Sequence, residues 1–297
     1  MAGRDMSGQS VAASADKAGN ATDKAGDAAD LIEANSENFP VGSFLIPREC
    51  RPHVHAFYVF ARRADDIADA TNLVADEKVA RLEAVQRALS LDVAALPDWA
   101  LAYHRSLQES GNSPVHGREL LAAFIQDATK SRYRDWPDVI DYCMLSAATV
   151  GRVMLDIHGE TDADIEGSDA LCCALQMLNH MQDCKKDYLA LDRVYLPEPW
   201  LKEAGGSVEN LALSQATPAV RQVLDRCLDE TEALLRRANS LPRSVKRRGL
   251  RLETALILKL AWALAARLRR QDPLAIRVKV SKPGWLLCGL RAIIGAW

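Results

Sequence analysis

From about residue 54 onward the apolar positions recur three and four apart, the spacing of one helix face, and no stretch alternates as a strand would. Val54, Phe57, Tyr58, Ala61, Ala64, Ile67 and Ala68 keep that spacing behind Pro47 and Pro52, which punctuate the start of the helix. Further helical patterns run over about 75–90, 98–109 and 116–130, with breaks at Leu96-Pro97 and Gly111-Asn-Ser-Pro114. Asp135-Trp-Pro137 supplies a cap and an early-turn proline for a long apolar helix over about 137–158. Within it Ala147 and Gly151 are small residues four apart, which lets another helix approach closely. Gly167-Ser-Asp169 opens a helix over 169–189, and Thr217-Pro218 caps one running to about 240. Pro242 separates that from a long helix reaching Arg270, and Pro283 begins a short terminal helix over 284–297. The pattern predicts an all-α chain of about ten helices.

The first 34 residues are different. Asp-Lys-Ala-Gly occurs twice, at 16–19 and 23–26, in a polar tract with little to bury, so a disordered or loosely helical tail is expected. Nothing beyond residue 35 is rich enough in Gly, Ser or Pro to divide the chain, which predicts one domain over 35–297.

Composition adds constraints. An apolar content of 48% with few aromatics suits an Ala/Leu-rich helical interior. The net charge of −3 points to no nucleic-acid partner, but between Arg236 and Arg291 fifteen Lys/Arg face only Glu253 and Asp272. Such a basic C-terminal third fits anionic lipid headgroups or nucleic acid, with a solvated face as the plain alternative, and peripheral membrane contact without nucleic acid is expected. Seven cysteines form no CxxC pair and sit in apolar helical patterns, as buried thiols of a reducing compartment do. The six histidines show no zinc spacing, and His180 points about 100° off the polar stripe described below. With no secretory signal and no run near the roughly 18 apolar residues of a membrane span, a cytoplasmic protein is expected, resting on the inner membrane if at all.

Two stripes carry the chemistry. On the first helix Tyr58, Arg62, Asp65 and Asp69 fall three or four residues apart on one face, so Asp65 and Asp69 can reach one ion, while Asp66 is turned away by about 100°. Alone, acids at this spacing are ordinarily a solvated face. On the helix 169–189, Gln176, Asn179, Asp183 and Asp187 lie at about 0°, −60°, −20° and +20° around the axis. That helix is apolar over most of its remaining surface, so the stripe must face partners, an ion or a wet cavity. Salt bridges to a neighbouring helix are the structural alternative. Two acidic helices with oxygen-only donors suit Mg²⁺, which completes its shell with water and phosphate oxygens. A diphosphate held that way can depart and leave a carbocation, which is isoprenoid chemistry.

These residues resemble the squalene/phytoene synthase family. Tyr58-x-x-x-Arg62-x-x-Asp65-Asp66-x-x-Asp69 is similar to its first Asp-rich motif. Gln176-x-x-Asn179-x-x-Gln182-Asp183-x-x-x-Asp187, followed by Arg193-Val-Tyr-Leu-Pro197, is similar to the second motif and its trailing segment. Tyr142-Cys-x-x-Ser-Ala-x-x-Val-Gly151 resembles the helix between them. The segment Glu37-Asn-Phe-Pro-Val-Gly-Ser43 and the Ser-Ala-x-x-Val-Gly-Arg152 run resemble the hydroxysqualene synthase branch of bacterial hopanoid pathways.

The resemblance implies a single large helical bundle of the isoprenoid synthase type with a central apolar cavity. It implies Mg²⁺-dependent ionisation and rearrangement of presqualene diphosphate, with water capture to hydroxysqualene, several Mg²⁺ ions and no NADPH. By the same resemblance Asp65, Asp69, Asn179 and Asp183 are Mg²⁺ ligands and Asp187 supports the cluster, directly or through water. Tyr58, Arg62, Gln176 and, in the segment 35–38, Asn35, Ser36 and Asn38 hold diphosphate or shape the pocket, and Arg193 and Tyr195 close over the leaving group. The family commonly has His where this chain has Asn35, and the stretch Tyr-Leu-Ala-Leu-Asp before Arg193 is one residue longer and less basic than usual. Lys185 and Lys186 fit solvated lysines or phosphate contacts.

Alternatives remain at this point: squalene or presqualene diphosphate synthase, a phytoene-synthase-like condensation, a class I terpene cyclase, and a non-catalytic helical membrane-binding module. Other enzymes of the same pathway are candidate partners.

Overall fold

The computed structural model describes residues 45–91 and 93–281, with Gly284, Cys288, Gly289 and Ala292 beyond them. Contacts divide the chain into two units at Phe44/Leu45, and the described residues belong to the unit from Leu45 onward. The expected tail 1–34, Asn35, Ser36 and Asn38, and most of the expected terminal helix 284–297 lie outside the described residues. The described residues contain helices, turns and loops and no strand, as the spacing predicts.

Between residues 45 and 281 eleven α-helical segments follow in order: α1 (Arg51–Asp69), α2 (Ala75–Leu91), α3 (Asp98–Ser110), α4 (Val115–Asp127), α5 (Trp136–Cys143), α6 (Thr149–Ile157), α7 (Ile165–Leu191), α8 (Glu198–Glu203), α9 (Pro218–Arg237), α10 (Leu241–Ser244) and α11 (Arg248–Leu268). The caps read from sequence at two helices are present. The Asp135 side chain accepts from Asp138 N, and Thr217 Oγ1 accepts from Val220 N. Each satisfies a backbone donor that the first turn leaves without a partner.

Two expectations need correction. The helix expected over 137–158 is interrupted by a π-helical turn at Met144–Ala148 between α5 and α6. A π turn takes up one extra residue per turn, and apolar spacing is too coarse to register it. The second motif helix starts at Ile165, with Asp164 as its cap, and not at Asp169. Asp164 Oδ1 accepts from Gly167 N at 2.8 Å, and a Cβ on Gly167 would lie 2.4 Å from Asp164 Oδ2. The glycine makes room for the folded-back cap, and Asp169 instead receives a forked bond from Arg152 at 2.7 and 3.0 Å.

α1 buries Val54, Phe57, Phe60, Ala64 and Ala68 against α3 and α4. Phe60 stacks on Tyr103 with ring centroids 4.5 Å apart, and Leu82 and Leu121 complete that core. Each such buried side chain contributes about 1.5–3 kcal/mol. Because that face is committed inward, Asp65 and Asp69 sit half-buried at its border while Asp66 is exposed.

α7 is the central helix. Leu171, Cys173, Ala174, Met177, Leu178, Met181 and Cys184 are buried on several sides of it, as an all-round apolar helix requires. α9 and α11 pack on it, and so do α6 and the π turn. At Gly151 a Cβ would meet Cys172 Sγ at 2.6 Å and Ser168 Oγ at 2.8 Å, so the glycine does permit the close approach read from its spacing.

All seven cysteines are free thiols, six of them buried. Among the described residues no helix is long and apolar enough to cross a membrane. Several cations of the basic third are answered by acids from elsewhere in the chain: Arg247 pairs with Glu49, Lys246 with Asp162, Arg269 with Asp229 and Glu232.

Candidate active site

The carboxylates of the first motif occupy the last two turns of α1, and the second motif occupies the C-terminal half of α7. Arg62 sits among the acids of its own helix, with Nη1 3.3 Å from Asp65 Oδ2 and Nε 3.4 Å from Asp66 Oδ1. Asp65 is nevertheless pushed up to about 7, by burial first and by the negative charge of Asp69 second. Asp187 is also pushed up to about 7, by burial, then by Asp183, with Asp69 contributing from across the gap. The two motifs therefore feel each other: Asp69 on α1 opposes ionisation of Asp187 on α7. Tyr58, Gln176, Asn179 and Asp183 are half-buried along the same two stripes.

Among the described residues, no three His, Cys, Asp or Glu side chains converge closely enough to grip an ion as they stand. Asp69 is instead bonded to Arg193, whose Nη1 lies 2.6 Å from Asp69 Oδ1. The Arg193 guanidinium also donates from Nη2 to the Ala68 carbonyl at 3.1 Å and from Nε to the Asp127 carbonyl at 3.2 Å. Arg193 is only 7% exposed. It thus ties the segment after α7 to the C-terminal end of α1.

Asp127, the last residue of α4, completes this junction, and sequence reasoning did not single it out. Its carboxylate is buried and accepts from both Tyr142 Oη (2.7 Å) and Tyr195 Oη (2.9 Å). Burial pushes Asp127 up to about 6, while Arg193 and the two hydroxyls pull the other way. Tyr195 also stacks against His180, ring centroids 3.6 Å apart, and lies 5.3 Å from the Tyr142 ring. Burial holds His180 neutral, down at about 3. His180 is off the polar stripe as expected, yet it forms part of the wall behind Tyr195. Tyr142 and Tyr195 were both in quoted motifs, but a lone acid ending an amphipathic helix gives no signal that they converge on it.

The lysines of the second motif have other duties. Lys185 Nζ donates to the Leu213 carbonyl at 2.9 Å and the Leu274 carbonyl at 3.3 Å, which makes it a structural tie and neither of the two roles expected. Lys186 is exposed. Gln182 is buried and donates to the Val278 carbonyl, holding the segment after α11 on α7.

Residues 32–284 match the squalene/phytoene synthase family. The chain is 41% identical over 257 residues to a hydroxysqualene synthase of Sinorhizobium fredii, covering 86% of this chain and 88% of that one. A 15-cis-phytoene synthase of Enterobacter agglomerans is 30% identical over 245 residues, 79% of each chain. Among solved structures, the squalene synthase HpnC from Alicyclobacillus acidocaldarius superposes with a TM-score of 0.68 at 32% identity, over 78% of this chain and 87% of that one. With paired acidic motifs on α1 and α7 and likeness over most of its length in sequence and fold, the chain belongs to the squalene/phytoene synthase family.

Proposed function

We propose that this protein carries out the reaction of its hydroxysqualene synthase relatives, converting presqualene diphosphate and water to hydroxysqualene and diphosphate. The observation that carries this reading is the 41% identity to a hydroxysqualene synthase over nearly the whole length of both chains, against 30% to a phytoene synthase.

The donor set fits Mg²⁺. Asp65, Asp69, Asn179 and Asp183, supported by Asp187, offer only oxygen ligands. Asp65 and Asp187 resist ionisation at neutral pH first because they are buried, and second because Asp69 and Asp183 add negative charge that Arg62, Lys186 and Arg193 only partly offset. These carboxylates would hold a hard divalent cation that keeps open positions for phosphate oxygens, and its charge would favour their ionised forms. When bound, Mg²⁺ supplies neutralisation of the charge that gathers on a departing diphosphate.

The chain's own residues do the rest. Arg62 beside the α1 acids, Arg193 at the end of α1, and Gln176 and Tyr58 along the stripes orient the diphosphate end. The C–O bond breaks with its electron pair leaving on diphosphate, and the C30 cation rearranges between apolar helix faces. Water adds to the cation through oxygen and loses one proton, so no reductant enters the balance. Asn35, Ser36 and Asn38 are assigned to the diphosphate end of the pocket by the family resemblance alone.

Peripheral contact with a membrane belongs to the same proposal, through Arg243, Arg270, Arg277 and Lys279, which are exposed. Flotation with anionic liposomes tests it, and failure to float removes it. Product analysis by mass spectrometry with farnesyl diphosphate and with presqualene diphosphate tests the reaction. Cyclised farnesyl products with presqualene diphosphate untouched would replace this reading with a terpene cyclase.

A further inference from the structure

Asp127 lies outside both motifs, yet it is the buried acid on which the end of the site converges. Tyr142 and Tyr195 each donate to one of its carboxylate oxygens, and its backbone carbonyl takes Nε of Arg193. The guanidinium meets Asp127 through its backbone carbonyl, while Nη1 of Arg193 reaches Asp69 Oδ1 at 2.6 Å. Burial works against the charge on Arg193, and among the groups that offset this, Asp127 counts most, ahead of Tyr195 and Asp69.

We propose that Asp127 is a positioning residue: its fixed carboxylate balances the buried guanidinium of Arg193, so that Asp69 is shared with that cation and not captured by it. This rests on the reading above in which Asp69 takes a metal ion. Without the charge at 127, Arg193 would rely more on Asp69, the carboxylate it bonds directly, and would hold it more tightly against an incoming cation. Arg193 and a metal ion compete for a single carboxylate, so a residue that is not a ligand changes metal affinity.

The test is a thermal-shift titration of the full chain with Mg²⁺ alone. Asp127→Asn keeps the shape and can still bond both tyrosine hydroxyls, since its amide offers one acceptor and two donors. Its Mg²⁺ half-saturation should rise about tenfold, the effect of one pKa unit of differential interaction. Tyr142→Phe removes a hydrogen bond but keeps the charge, and should leave the half-saturation where it is. Arg193→Gln removes the competing cation, so Mg²⁺ should bind more tightly and adding Asp127→Asn to it should no longer move the half-saturation; Asp127→Ser, which also removes the charge, takes the place of Asp127→Asn if that variant does not fold. A merely structural role for Asp127 would lower the melting temperature of Asp127→Asn without moving its half-saturation, and that outcome overturns the proposal. A wild-type chain with no Mg²⁺ response removes the metal reading and this proposal with it. Mg²⁺ shifts that behave as stated while presqualene diphosphate goes unconverted remove only the reaction assignment.

Discussion

Arg193 Nη1 lies 2.6 Å from Asp69 Oδ1, a bond between residues 124 positions apart that joins the end of the second motif to the last carboxylate of the first. The other guanidinium nitrogens each donate to a backbone carbonyl, and the arginine is nearly fully buried. Arg193→Gln leaves the Ala68 and Asp127 carbonyls short of a donor and Asp127 short of a counter-ion. It should lose on the order of 2–4 kcal/mol of stability, toward the lower end because Asp69 remains partly in water. The midpoint of urea unfolding checks this, and a loss below about 0.5 kcal/mol would show the strap to be slack.

Asp65 offers the opposite behaviour. It is a half-buried carboxylate held near Asp69 and resisting its own ionisation. Asp65→Asn removes that repulsion, so the metal-free protein should melt a few degrees higher at pH 8, while turnover falls by about a thousandfold or more. Circular dichroism and a melting curve measure the first, a product assay the second. A variant that turns over normally would return the α1 stripe to a solvated face.

The same electrostatics set a pH dependence. Asp65 and Asp187 titrate near 7 in the folded chain, raised from the ordinary 3.8. Between about pH 4 and 7 the native state therefore holds protons that the unfolded chain has released. Stability from these two groups is complete below the lower value and is lost as the pH rises through 7. Metal-free protein should weaken across that window, and a fixed Mg²⁺ concentration should raise the melting temperature more at pH 8 than at pH 6. Equal Mg²⁺ shifts at the two pH values would contradict the assignment.

Gly151 supplies a packing test remote from the charges. Alanine there places a Cβ within 3 Å of both Cys172 Sγ and Ser168 Oγ on α7. Gly151→Ala should cost about 1–3 kcal/mol through displacement of α6 from α7. Rotation of both side chains out of the way at no cost would instead leave the unfolding midpoint unchanged.

What the sequence made legible follows its periodicities. Helix spacing, the caps at Asp135 and Thr217, and the two acidic stripes are local patterns, and the structure contains them. The π turn at Met144–Ala148 is invisible to spacing because it shifts the helical register by a single residue. Asp164 was missed as a cap because Gly167-Ser-Asp169 offers equally good capping chemistry, and only the fold of the preceding loop chooses between them. The Asp127–Tyr142–Tyr195 junction was missed for a different reason. An acid ending an amphipathic helix reads as solvated, and its burial depends on partners 15 and 68 residues away. The trailing segment of the second motif sets Arg193 beside the leaving group, and its bond to Asp69 is a long-range fact that no local pattern encodes.

The central claim is that the acidic walls on α1 and α7 serve Mg²⁺-dependent ionisation of presqualene diphosphate with water capture. The most direct measurement is turnover of presqualene diphosphate with Mg²⁺, without and with NADPH, read by mass spectrometry. The account predicts hydroxysqualene in both cases, and none when Mg²⁺ is chelated. Squalene formed only with NADPH, or presqualene diphosphate recovered intact, would contradict it.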